Sequence, residues 1–266
     1  MAGSKARRPT PTLVRKWIKA GFGQGEGKDY KPFMYVRDVP SMGTSSMVRS
    51  RITGRKHDYL SDHEFKVHLL AEYGRSTLDI REQFALLPWE ETQAIAARLG
   101  IQHPIIPGTS TPTVMTTDLL LTLKRSDGTE LVAISAKLNK DLTSRNLQKL
   151  LLERLYWNRR GIRWILATED NVHATRASNL RFFEMALNDD RAGKAGIAPA
   201  DFSRRFEANW SPTLSFNQVM GKTISSMGID VHTGHALLGT AVWNRASRID
   251  IDTNKLTHRG TFVLTS

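Results

Sequence analysis

Asp118, Ser135 and Lys137 stand in a pattern that phosphodiester chemistry can use. Val114 to Leu123 is dense in β-branched and apolar residues, Ser126-Asp127-Gly128 supplies a turn, and Leu131 to Lys137 reads as the return strand of a hairpin. A carboxylate on one strand then meets a lysine on the next, with a polar residue two positions before the lysine. Residues two apart on a strand share a face, so Ser135 and Lys137 are expected to point the same way. Glu64, on an upstream helix, adds a second carboxylate. Phosphodiester hydrolysis needs acidic oxygens for Mg²⁺ or Mn²⁺, activation of the attacking water, and positive charge near the transition-state phosphate. Asp118 would bind or bridge the metal and Glu64 would ligate it directly or through water. Lys137 would orient the water or stabilise the developing charge.

Each of these residues also has a plainer reading. Glu64 lies three positions after Ser61 and completes a capping box. Lys137 can be a strand-end lysine whose stem covers apolar surface. Asp118 is harder to explain away, because a carboxylate inside an apolar strand is costly without a cation or donors. Glu153, among the leucines of a later helix, reads as an ordinary solvated residue, with assistance to a metal site as the alternative. His232-Thr233-Gly234-His235 offers two imidazoles without further clustered ligands, and its glycine favours a turn. His57 and His63 are weak candidates for phosphate contact, and no Gly-x-Ser-x-Gly nucleophile signature is present.

The elements that must position these groups follow from spacing. Leu13 to Lys19 reads as a short amphipathic helix. Gly21, Gly23, Gly25 and Gly27 then invite a phosphate-loop reading that fails. A Walker loop needs glycine where Phe22 stands and Ser or Thr where Asp29 stands, and the dinucleotide fingerprint needs glycine at Glu26. A flexible or DNA-facing loop is the expectation, and basic residues with Ser and Thr at 41–46 extend the irregular region to residue 56. Ser61 opens a helix that Gly74 closes. Leu78 to Phe84 reads as a strand and Trp89 to Leu99 as a helix. After the hairpin comes a helix with Leu147, Leu150, Leu151 and Leu155 on its apolar face, then a buried strand from Ile162 to Ala167. Strand, helix, strand predicts a crossover onto a mixed sheet. Helices are expected at Asn179–Leu187, Pro199–Ala208, Pro212–Gly221 and His235–Trp243, followed by a hairpin of 249–252 with 261–264 around Asn254-Lys255. The fold class is therefore α/β. A basic segment at 1–56 precedes a mixed-sheet catalytic domain at 57–170 and a mostly α, winged-helix-like domain at 171–266.

Composition narrows the chemistry. The chain has 266 residues and no cysteine, which excludes disulfides, iron–sulfur clusters and thiolate zinc sites. Lys and Arg number 38 against 26 Asp and Glu, a net charge of +12 that favours a polyanionic partner, nucleic acid first. The basic residues at 1–20 and the arginines between 145 and 163 are expected to track phosphates. Lys5, Arg7, Arg8 and Pro9 precede no apolar run, so no secretory signal is read. No apolar stretch reaches the roughly 18 residues of a membrane span, so a cytoplasmic protein is expected.

Several ordered blocks resemble the TnsA family, endonuclease subunits of the heteromeric transposases of Tn-seven-type transposons. They are Gly23-Gln24-Gly25-Glu26-Gly27-Lys28-Asp29-Tyr30, Leu60-Ser61-Asp62-His63-Glu64, the run from Leu78 to Pro88, His103-Pro104, Met115-Thr116-Thr117-Asp118, Ala136-Lys137 and Glu153-Arg154-Leu155-Tyr156-Trp157. The resemblance implies a restriction-endonuclease-like first domain with Glu64, Asp118 and Lys137 as catalytic residues. It also implies Mg²⁺ as cofactor, held by Glu64, Asp118 and the backbone of Ala136. The family carries Gln two residues before the lysine where this chain has Ser135, so a side-chain ligand there is in question. The implied activity is cleavage of the non-transferred strand at the 5′ ends of the element. The implied partners are double-stranded DNA of the transposon ends, a TnsB-like integrase-superfamily transposase and a TnsC-like AAA+ ATPase. Two rivals share the same features: a non-catalytic module that holds DNA in the assembly, and a stand-alone restriction-type nuclease.

Overall fold

The computed structural model describes residues 10–33 and 46–265. Lys5, Arg7, Arg8, Pro9 and residues 41–45 of the Ser/Thr stretch lie outside the described residues. Helix α1 (Pro11–Lys19) starts where Thr10 accepts the Leu13 N–H, and it buries Val14. The glycine segment that follows is docked, contrary to the expected flexible loop. Gly23 has φ +74°, and a Cβ there would lie 2.5 Å from Ala85 Cβ. The Gly27 N–H donates to Asp79 Oδ2 at 3.1 Å, and the Tyr30 hydroxyl donates to Glu82 O at 2.9 Å. Only glycine permits that approach of backbone to strand.

A small hairpin of β1 (Ser46–Arg49) and β2 (Lys56–Tyr59), not foreseen from the alternation, precedes helix α2 (Asp62–Tyr73). The central sheet contains β3 (Thr77–Ala85), β4 (Thr116–Arg125), β5 (Gly128–Ala136) and β6 (Arg163–Ala167), in the order β3-β4-β5-β6. The first two pairings are antiparallel and β5 with β6 is parallel, so the sheet is mixed as expected. Helix α3 (Glu90–Arg98) connects β3 towards β4, and α4 (Ser144–Asn158) makes the crossover from β5 to β6. Alternate residues of β4 divide between two apolar layers. Leu119 and Leu121 join Phe65 and Leu69 of α2, while Leu120 joins Leu152, Tyr156 and Trp157 of α4.

On α4 the expected leucine face is corrected. Leu150 is buried and Leu155 packs on the core as expected, but Leu147 and Leu151 are exposed, and the inward stripe also takes Leu152, Glu153, Tyr156 and Trp157. A polar residue sits on the buried stripe, which a reading by hydropathy places outside.

Beyond residue 170 the described chain is helical: α5 (Ala174–Phe182), α6 (Met185–Asn188), α7 (Arg191–Lys194), α8 (Pro199–Ala208), α9 (Phe216–Met227) and α10 (Val231–Trp243). The helix expected from Pro212 begins instead at Phe216, capped by Ser215, which forms a capping box with Gln218. The turn placed at His232-Thr233-Gly234-His235 is the first part of α10, because Asp230 accepts the His232 and Thr233 N–H groups. Gly234 serves packing there: a Cβ would lie 2.5 Å from Ile224 Cγ2. The terminal segments pair antiparallel through an Ile249–Leu264 bridge, with Asp250 N–H donating to Val263 O at 2.9 Å. The span between them is held by Asn179, which donates to Ile251 O and Asn254 O and accepts from the Leu256 N–H, instead of by a tight turn at Asn254-Lys255. One apolar cluster joins Phe65 and Leu69 to Leu180, Phe183 and Leu237, so packing continues across residue 170.

Candidate active site

Ser61 caps α2 by accepting the Glu64 N–H at 3.1 Å, which places Glu64 in the first turn. The Ser61 hydroxyl donates back to Glu64 Oε1 at 3.0 Å, and the Leu60 N–H donates to Oε2 at 3.2 Å. The Ser61 cap is thus realised, but in place of the reciprocal bond of a capping box Glu64 accepts from the Ser61 hydroxyl and the Leu60 N–H; this capping coexists with the other reading. Glu64 is buried beside Asp118 and Lys137; burial first, then the Asp118 charge, push its carboxyl up to about 7 against the pull of Lys137 and the donors. A buried carboxyl pushed up beside a second carboxylate marks a place where a cation is favoured.

Asp118 lies one residue beyond the β4–β5 ladder, which begins at Leu119 with Ile134. Its Oδ2 accepts from Ala136 N–H and from Lys137 Nζ, each at 2.8 Å, and Lys137 Nζ also donates to Ala136 O at 2.9 Å. Burial alone would lower the Lys137 ammonium, but Asp118, with Glu64 and Glu153, holds it well above the ordinary lysine range. Lys137 is therefore a fixed positive charge at any working pH, suited to electrostatic stabilisation and not to taking a proton. A cleft of about 440 Å³ opens here, lined by Glu64, Ala136 and Lys137 with His63, Lys66 and Asn146.

Among the described residues there is no group of three or more His, Asp or Glu side chains that could cage a metal. The Glu64 and Asp118 carboxylates and the Ala136 carbonyl are all hard oxygens. Such a small set fits Mg²⁺, which keeps several of its waters and takes one or two carboxylates.

Ser135 and Lys137 do not share a partner. Strand β5 ends at Ala136, so Lys137 turns to Asp118, whereas the Ser135 hydroxyl donates to Glu153 Oε1. Glu153 also accepts from Thr117 Oγ1 at 2.7 Å and from Trp164 Nε1 at 3.0 Å, and Trp157 Nε1 donates to Thr117 at 2.6 Å. The solvated reading of Glu153 is overturned: it is buried, and burial followed by the Asp118 charge push its carboxyl up to about 7. A folded-state value above the usual carboxylate value near 4.3 means that its contribution is fully present below the unfolded value and is lost as pH rises through about 7. Ionisation there opposes folding by on the order of 3 kcal/mol. Glu153→Gln keeps the acceptor and removes the charge. In chelator, its melting temperature is expected to match wild type near pH 4 and exceed it by several degrees at pH 8.5; equal melting at both pH values would refute this.

His57 is excluded from phosphate contact, being fully buried with its ring between Thr53 Oγ1 at 2.7 Å and Glu82 at 2.8 Å. His63 lines the cleft, and its Nε2 lies 2.9 Å from Ala167 O. Arg159 and Arg160 share Glu91 and Arg163 pairs with Glu130, so the charge of this basic run is partly compensated. Spacing gave no signal for Gln83, whose side chain lies between Thr116 and Glu64.

Residues 74–169 match the family described as TnsA-like endonuclease N terminal. The matched stretch contains Asp118, Ser135, Ala136, Lys137 and Glu153, whereas Glu64 lies before it. The chain is also similar to the transposon Tn7 transposition protein TnsA of Escherichia coli, with 44% identity over 171 residues, 64% of this chain and 61% of that protein. The chain thus spans about three fifths of the length of that relative.

Proposed function

From the premise that the chain carries a TnsA-like endonuclease domain, we propose that it is the DNA endonuclease subunit of a transposase and cuts the non-transferred strand at the 5′ ends of the element. The observation that carries this reading is the junction of Asp118, Ala136 and Lys137 at the end of the hairpin, with Glu64 delivered from α2. Glu64, Asp118 and the Ala136 carbonyl would hold Mg²⁺, or Mn²⁺ in its place. The bound ion would polarise the scissile phosphate and lower the pKa of the attacking water. Lys137 adds fixed positive charge to the phosphate as negative charge develops on it. Glu153 acts indirectly: it ties Thr117, next to Asp118, to Ser135, next to Ala136, and so sets the spacing of the two strand ends.

The net charge of +12 supports a duplex DNA partner. The region 171–266 is assigned as the winged-helix-like unit for DNA or partner proteins, on the strength of helices followed by an antiparallel pairing at Ile249–Leu264. A TnsB-like transposase would make the complementary cuts and a TnsC-like AAA+ ATPase would license them.

The test is strand-resolved cleavage of end-labelled transposon-end DNA by the full chain with both partners, in Mg²⁺ or in chelator. Nicks at the 5′ ends in Mg²⁺ alone are expected. Their absence with partners present would favour the non-catalytic module, and site-specific cutting by the chain alone would favour a stand-alone nuclease.

A further inference from the structure

Gln83 occupies a backbone conformation that its side chain does not favour. It has φ +45°, in the left-handed region, inside a strand whose pairing with β4 is continuous from Asp79 to Glu82, after a bulge between Thr77 and Asp79. Strand β3 matches β4 at Glu82–Leu119 and again at Phe84–Thr117, and the one pair missing between them is Gln83–Asp118. The irregularity thus falls directly across from the candidate metal carboxylate. Strain of this kind persists only where surrounding structure over-determines it.

The surroundings here do so from both ends. The Gln83 carbonyl accepts from Phe33 N–H at 3.4 Å and lies 3.4 Å from the Tyr30 hydroxyl, so the glycine segment clamps the backbone. At the side chain, the Thr116 hydroxyl donates to Oε1 at 3.0 Å, which fixes the amide and turns Nε2 towards Glu64 Oε2 at 3.4 Å. Gln83 is buried, so its amide has no competing solvent. Among the described residues, the Glu64 oxygen that faces Gln83 has the Leu60 N–H as its other donor.

We propose that Gln83 is a positioning residue for cleavage, holding the Glu64 carboxylate at the distance from Asp118 at which one divalent cation is shared, with the glycine segment as its brace. This rests on the nuclease reading above. Groups that orient metal-binding side chains typically change metal affinity or activity 10- to 100-fold when removed.

Two variants test it in the full chain. Gln83→Met keeps the length and lacks the amide; Gln83→Gly lacks the amide and accepts the positive φ without strain. Mn²⁺ affinity is measured by calorimetry on chain whose melting temperature is within a few degrees of wild type, and 5′-end cleavage is measured with partners present. Both variants are expected to bind Mn²⁺ about 10-fold more weakly and to cleave 10- to 100-fold more slowly. Affinity and cleavage within twofold of wild type in either folded variant would overturn the proposal. Should Gln83→Met fail to fold, Gln83→Gly decides alone, because its backbone is relieved. Asp118→Ala run alongside separates the two levels: if it still cleaves, the nuclease reading has failed, and if it is dead while the Gln83 variants are unchanged, only the positioning role has.

Discussion

Asp118→Ala is expected to lower 5′-end cleavage by roughly 10³-fold or more, towards the upper end of what a single preorganised electrostatic group contributes, while leaving DNA binding largely intact. The geometry gives the reason. Asp118 Oδ2 accepts from both the Ala136 N–H and the Lys137 ammonium, so it joins the candidate metal position to the fixed positive charge. Its removal takes away a ligand and also frees Lys137 to swing towards Glu64. Folding should suffer less than the loss of a fully buried pair would imply: the Lys137 ammonium, a third exposed, loses its Asp118 partner, but Asp118 is also part of the reason that Glu64 and Glu153 are pushed up to about 7. The loss of that negative charge eases the burial of both. Strand-resolved cleavage of labelled ends, beside melting and a DNA-binding isotherm, reads all three effects. Full 5′ cleavage by the variant would remove the catalytic assignment. Loss of cleavage together with loss of folding would leave it to Asp118→Asn, which keeps the shape.

What the sequence made legible here is unevenly distributed, and the reasons are physical. The hairpin and α2 could be read because their signals are local: a two-residue turn before Gly128, and a serine three residues ahead of Glu64. Glu153 was misplaced because its justification is not local. Its donors come from Thr117 on β4, Ser135 on β5 and Trp164 on β6, and only the folded sheet brings them to one carboxylate. The same holds for the glycine segment, whose glycines read as freedom although Gly23 serves close contact with β3 and the Gly27 N–H bonds Asp79 on it. His232 to His235 shows a third case. Gly234 argued against a helix by propensity, and packing against Ile224 overrode it. Ser135 is a fourth case: spacing put it on the face of Lys137, but its hydroxyl serves Glu153 while Lys137 turns to Asp118.

Glu82→Gln is expected to destabilise the fold by about 3–5 kcal/mol at pH 7, the cost of breaking a buried ion pair by removing one partner. Glu82 is almost fully buried and takes the two terminal guanidinium nitrogens of Arg55, at 2.8 and 2.7 Å, with the His57 ring 2.8 Å away. Burial alone would raise its carboxyl; the hydrogen bonds from Arg55 and His57 overcome this and hold it down at about 2. The sign follows. A depressed folded-state value gives stability that is present above the unfolded value near 4.3 and is lost as pH falls through about 2. The gap between wild type and variant should therefore be widest at neutral pH, roughly 6–20 °C in melting temperature, and should narrow towards pH 2–3. Equal melting at pH 7 would refute it. Replacing Arg55 and Glu82 together by methionine should recover part of the loss, because no orphaned charge is left buried. Arg55 Nε also donates to Gly27 O at 2.9 Å, and Tyr30 to Glu82 O, so this pair fastens the glycine segment to β3 one residue before Gln83. The double variant, stable but with the guanidinium bond to Gly27 removed, should therefore fold and still cleave more slowly than wild type. That outcome would assign the buried pair a part in aligning the site as well as in holding the fold.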